Sequence, residues 1–175
     1  MMTGSRITIV PYRTKQEVQE YVTLYNNLEE RTVHDHVETS DLMQQLHHFD
    51  KHGFQSENFG HFRILNEDNN FIGSIGYTKI EDYDYHIGYR ILHSKYRHKG
   101  YMTEALQLFV TYVFHEFEQV RRCTLRIASE NTESLGLAKK CGFVHEGTLR
   151  QGYEYRNRIC DFEIFSILRK EFTEK

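Results

Sequence analysis

An α/β (α+β) fold, with a mixed, mostly antiparallel central sheet of about seven strands and helices on both faces, is the class this sequence predicts. Three observations predict it. Segments of period-two alternation and segments of three- and four-residue apolar spacing follow one another in the order β-α-α-β-β-β-α-β-α-β-β. An Asn- and Asp-rich turn joins two consecutive strands as a hairpin. A strand, a long apolar helix and another strand then follow, the pattern of a βαβ crossover. At 175 residues the chain is long enough for one domain with a substantial core and too short for two ordinary ones.

Each element has its own signal. Residues 6–10 alternate polar and apolar and form a first strand, ended at Pro11. Met1-Met2-Thr3-Gly4-Ser5, ahead of it, carries no weight in the prediction. Residues 15–28 are helical, with Val18, Tyr21, Val22 and Tyr25 at helical steps. A second helix over 40–51 starts at Thr39 or Ser40, shows Leu42, Met43, Leu46 and Phe49 on its apolar face, and ends at Gly53. Strands 61–65 and 71–79 flank the turn Asn66-Glu67-Asp68-Asn69-Asn70. A strand over 84–92, a helix over 103–117 and a strand over 123–129, with Leu125 and Ile127 alternating, form the crossover. A short helix over 131–141 is closed by Gly142, and two last strands, 143–153 and 159–168, join near Arg156-Asn157-Arg158.

Composition excludes several classes. Charged residues make up 27% and net charge is −3, so no global basic field attracts nucleic acid. Cys123, Cys141 and Cys160 are an odd set without C-x-x-C spacing, which argues against a disulfide scaffold or zinc site and for a reducing, cytoplasmic compartment. No long apolar run or leader pattern occurs, so no membrane span is expected. His34, Asp35, His36 and Glu38, with His47, His48 and His52, lack a thiolate and a recognised ligand spacing; they read as a polar helical surface, and no metal is expected.

One segment stands out against this background. Tyr96-Arg97-His98-Lys99-Gly100-Tyr101-Met102-Thr103 is a basic, glycine-containing turn between a strand and a helix. The first turn of a helix leaves N–H groups without intrahelical partners and carries the positive end of the macrodipole. Gly100 admits close approach of a phosphate, and Arg97 and Lys99 add charge. The spacing is neither the G-x-x-x-x-G-K-[ST] loop nor G-x-G-x-x-G. The residues alone leave the identity of the anion open.

Four segments together resemble the GNAT superfamily of acyl-CoA N-acyltransferases, most of all its RimJ/RimL-type group. Ile87-Gly88-Tyr89-Arg90-Ile91 resembles the strand that the family sets beside the thioester. Arg97-His98-Lys99-Gly100-Tyr101-Met102 matches its R/Q-x-x-G-x-G/A pyrophosphate loop, with Met102 where the pattern has Gly or Ala. Asn131-Thr132-Glu133-Ser134, continuing to Lys140-Cys141-Gly142-Phe143, matches N-x-x-S/A…K-x-G-F, and Glu146-Gly147-Thr148-Leu149-Arg150, with Asp161 further on, resembles the closing hairpin. Many relatives carry a Tyr seven residues after the Asn; here Ala138 stands there.

The resemblance implies direct transfer of acetyl from acetyl-CoA, as cosubstrate, to an amine, without a metal. It assigns the cofactor to Tyr89, Arg90, Ile91 and Leu92 on the strand, to Arg97, His98, Lys99, Gly100, Tyr101, Met102 and Thr103 in the turn, and to Asn131, Ser134 and Lys140. Ser134 becomes the proton donor to the leaving thiolate, and His86, where relatives often have Glu, the candidate base with an unperturbed pKa near ~6.5. Each has a plainer role beside the functional one: a helix N-cap for Asn131, a first-turn residue for Ser134, a sheet-face histidine for His86, solvated charge for Lys99. Glu81, Asp84, Glu146 and Tyr153 are weaker candidates for the base. The acceptor is either a protein N-terminal α-amine, including that of a ribosomal protein, or a small amine such as a polyamine or aminoglycoside; Glu29, Glu30, Asp35 and Glu38 suit a cation. A non-catalytic acyl-CoA-binding module is the rival from another class. The family's habit of pairing implies a homodimer.

Overall fold

In the computed structural model the described residues are 1–34, 39–155 and 158–172, with the side chains of Tyr153 and Tyr155 not described. The elements are β1 (Met2–Thr3), β2 (Ile7–Pro11), α1 (Lys15–Asn26), α2 (Leu42–His52), β3 (Phe59–Asn66), β4 (Phe71–Glu81) and β5 (Asp84–Ile91). They continue with α3 (Tyr101–Glu116), β6 (Arg122–Ala128), α4 (Thr132–Lys140), β7 (Val144–Tyr155) and β8 (Arg158–Leu168). One eight-stranded sheet runs β1-β2-β3-β4-β5-β6-β8-β7. Every pairing is antiparallel except β5 with β6. The eighth strand is β1, which comes from the opening residues that show no pattern; it pairs Met2 with Ile9 and Thr3 with Thr8.

The larger core lies between the sheet and α3. Tyr101, Ala105, Leu106, Phe109, Val110, Val113 and Phe114 recur at helical spacing and are buried against Ile7, Ile9, Phe62, Ile64, Ile75, Tyr77, Tyr85 and Ile87. Ala138 of α4 joins the same cluster. On the opposite face α1 and α2 cover a second cluster of Tyr12, Val18 and Phe54, with Tyr21, Leu46, Phe49 and Phe59 packed on it. Strand β4 is therefore buried at every position from Phe71 to Tyr77. Arg63 of β3 pins α1 through Glu17 and Glu20, each at 2.6 Å.

Helix starts differ from the sequence prediction for local reasons. Helix α2 is capped by Asp41, whose carboxylate accepts Gln44 N at 2.7 Å. Ser40 is held elsewhere: its N–H donates to Asn26 Oδ1 at 2.8 Å and its carbonyl accepts from Asn26 Nδ2 at 2.9 Å. Helix α3 starts at Tyr101, two residues before the expected Thr103, because Gly100 takes the N-cap with φ +81. At the hairpin turn, Asn66 Oδ1 accepts the N–H groups of Asp68 and Asn70, the Asx geometry its composition predicts. The expected junction at Arg156 and Asn157 lies outside the described residues.

Candidate active site

Strands β5 and β6 pair over only three positions, Asp84 with Arg122, Tyr85 with Cys123 and His86 with Thr124. Beyond them β5 continues to Ile91 and β6 to Ala128, and their facing edges have no ladder partner. A cavity of ≈1090 Å³ lies along this divergence, lined from both strands. Ligands in open α/β sheets favour such a place, at the carboxyl ends of diverging strands. His61, Gly76 and Gly88 stand in register across β3, β4 and β5 and all line it. A Cβ at Gly88 would meet nothing within 4 Å, so this glycine leaves open floor.

At one end of the cavity lies the basic turn. Arg97, His98, Gly100, Tyr101, Met102 and Thr103 line it. The left-handed Gly100 swings the chain into α3 so that the first-turn amides lack intrahelical acceptors. Asn131 caps α4, its Oδ1 accepting Ser134 N at 3.1 Å, and both residues line the same cavity. His98 Nε2 stands 3.6 Å from Glu133 Oε1, and Cys141 Sγ 3.7 Å from Thr103 O. Two motifs some thirty residues apart thus share one wall.

Three residues expected at the cofactor do not line the cavity. Leu92 is fully buried, its N–H donating to Ile72 O where the chain leaves β5. Lys140 is exposed in the last turn of α4, the end of the dipole where a cation is favoured. Lys99 turns outward with Nζ 5.8 Å from the Tyr96 ring centroid, and its carbonyl accepts from Arg6 Nη1 at 3.0 Å. Arg97 lines the cavity, but one guanidinium nitrogen donates to the Glu30 carbonyl. Met102 keeps its place on the wall despite its side chain.

His86 departs from the expected unperturbed imidazole. Burial, and then the nearby Arg126, lower its pKa to about 4. It is neutral throughout the physiological range, an acceptor of hydrogen bonds and a weak base. Among the weaker candidates, Asp84 accepts Thr124 Oγ1 at 2.6 Å and pairs with Arg122, and Glu146 binds Ser166 and Arg122. Glu81, Asp84 and Glu146 do not line the cavity. Glu30 accepts Ser94 N and faces His93, which commits it to the turn after β5. Asp35, His36 and Glu38 lie outside the described residues. Among the described residues no group of three or more His, Cys, Asp or Glu is arranged to hold a metal.

Several wall residues carry no sequence signal of their role. Tyr21, Tyr25, Phe59 and His61 come from α1 and β3, and Arg126 from β6. The Arg90 guanidinium lies 4.9 Å from the Tyr25 ring centroid. The Tyr89 phenol sits in the wall with its hydroxyl buried. Glu133 is the one carboxylate among the described lining residues.

Residues 6–144 match the family model for an acetyltransferase (GNAT) domain. The chain belongs to the GNAT acetyltransferases. It is an acetyl-CoA-dependent N-acetyltransferase. An uncharacterised N-acetyltransferase, p20 of Bacillus licheniformis, is 29% identical over 154 residues, 87% of this chain and 83% of that protein. Spermidine N-acetyltransferase of Vibrio cholerae, solved with CoA and spermine, superposes with TM-score 0.82 at 20% identity, over 96% of this chain and 98% of that one. RimL, the ribosomal L7/L12 α-N-protein acetyltransferase solved with coenzyme A, gives TM-score 0.82 at 15% identity, over 97% of each chain. At these identities the two structures share the fold of the acetyltransferase described here. No helix among its described residues is long and apolar enough to cross a membrane.

Proposed function

We propose that this acetyltransferase modifies the N-terminal α-amine of a polypeptide, a RimJ/RimL-type activity, in a ternary complex with acetyl-CoA. The observation that carries the acceptor is the charge of the wall. Away from Glu133, the described lining residues offer aromatic rings at Tyr21, Tyr25 and Phe59 and a cation at Arg126, with no carboxylate. A polycation meets repulsion there, whereas a peptide presents a single amine on a neutral backbone.

In this proposal the free amides at the start of α3, with Arg97 and His98, hold the pyrophosphate, and Asn131 holds the pantetheine arm. The unpaired edge of β5 from Tyr89 to Ile91 supplies amide donors to the oxyanion. Neutral His86 accepts a hydrogen bond from the attacking amine and orients its lone pair. The C–N bond forms, the C–S bond breaks, and its electron pair stays on sulfur. Ser134 passes its proton to that sulfur and recovers, through water, the proton released by nitrogen.

The test is mass spectrometry of products from acetyl-CoA and an equimolar pool of peptides, spermidine and an aminoglycoside. Label on peptide α-amines is expected. Exclusive label on spermidine, on the aminoglycoside or on lysine side chains would overturn the acceptor assignment.

A further inference from the structure

The Tyr89 hydroxyl is buried at the cavity wall and makes no hydrogen bond of ordinary geometry here, although Ser134 is near enough to act on it. An unpaired buried hydroxyl is costly, so a partner is expected when the site is in use. Alternation along β5 places Tyr89 on the side of Tyr85 and Ile87, the face covered by α3. On α4, residues 134, 138 and 141 follow one another at helical steps and share a face. Ala138 on that face is fully buried and Cys141 Sγ approaches Thr103 O, so the face turns inward. Ser134 begins this stripe, with its backbone fixed by Asn131. Burial pushes the Tyr89 phenol up to about 12, with Ser134 acting in the opposite sense. A phenol in that state keeps its proton and acts as a donor.

We propose that Tyr89 is a positioning residue for acetyl transfer: once acetyl-CoA fills the site, its O–H donates to Ser134 Oγ and so turns the Ser134 O–H outward, toward the sulfur that leaves. This rests on the role given to Ser134 above. Tyr89 keeps its own proton throughout; the proton that reaches sulfur is still the serine's, and the one returned to Ser134 is still the one released by nitrogen. A serine hydroxyl that already accepts a hydrogen bond is also a better donor, because successive bonds polarise one another.

The experiment is steady-state kinetics and thermal unfolding of Tyr89→Phe, Ser134→Ala and the double variant, with the acceptor in excess. Tyr89→Phe should lower kcat about tenfold, the kinetic equivalent of one hydrogen bond, at unchanged KM for acetyl-CoA. Its Tm without acetyl-CoA should hold or rise, because there the buried hydroxyl that is removed is unpaired. The double variant should lose no more than Ser134→Ala alone, since the phenol acts only through the serine. Full kcat in Tyr89→Phe, losses that multiply in the double variant, or a kcat loss that tracks a lower Tm would each overturn the proposal. If Ser134→Ala keeps full kcat, the serine's role falls first and Tyr89's with it. If only Ser134→Ala is impaired, the serine's role stands and the Tyr89 proposal alone fails.

Discussion

His61 and His86 lie on the same face of the sheet, on β3 and β5, and burial holds both imidazoles down to about 4. The unfolded chain takes up these protons near pH ~6.5, whereas the folded chain resists until about pH 4. Between these values the unfolded state binds more protons, so stability is full above pH ~6.5 and is lost as pH falls toward 4. The half-buried His61, ringed by Tyr12, Tyr21 and Phe54, should contribute roughly 3 kcal/mol to that loss. Urea unfolding across pH 4–7 measures it, and His61→Phe should flatten the dependence; an unchanged slope would place the titration elsewhere. His61 illustrates what composition conceals. Nothing in His61-Phe62-Arg63 tells a caged histidine from a solvated one, because three of its aromatic neighbours come from elsewhere in the chain.

Helix α3 and the turn before it were legible as an element because glycine, cations and an apolar period stand together in one short stretch. The start at Tyr101 was less so. Gly100 adopts φ +81, a region in which a side chain costs about 1 kcal/mol or more, and a Cβ there would also lie 3.1 Å from Arg6 Nη2. The proposed phosphate site makes a third demand on this position. Gly100→Glu should therefore weaken CoA binding by at least about tenfold in calorimetry, through strain and through a negative charge set against the helix N-terminus. Equal affinity in that variant would move the anion site off the turn. Asp41 in place of Ser40 as the α2 cap is a smaller lesson of the same kind: Asn26, fourteen residues back, claims both backbone groups of Ser40.

Across the whole molecule, distant segments hold the site's supports. Glu104, in the first turn of α3, receives Ser5 Oγ at 3.0 Å and Arg6 N at 2.9 Å, so the opening residues brace the turn. At the other end of α3, Arg169 follows β8 and donates to the carbonyls of Phe114, Phe117 and Val120 at 2.6, 2.7 and 2.8 Å. Arg169→Met should leave those carbonyls short of donors and cost about 3 kcal/mol in urea unfolding, with kcat retained while the chain is folded. A loss under about 0.5 kcal/mol would show that water replaces the guanidinium.

Sequence alone was enough for the element order, the mixed sheet, the basic glycine turn and the α4 motif, because each of these is written in local periodicity, glycine and caps within a few residues. It left the aromatic wall of the cavity, the neutral His86 and the buried Tyr89 phenol to the tertiary structure. Those depend on where β5 and β6 part after His86 and Thr124, and on which side chains from α1, β3, β6 and α4 then face one another. Burial and the approach of residues far apart in the chain set those properties, and neither is encoded in any short stretch of residues.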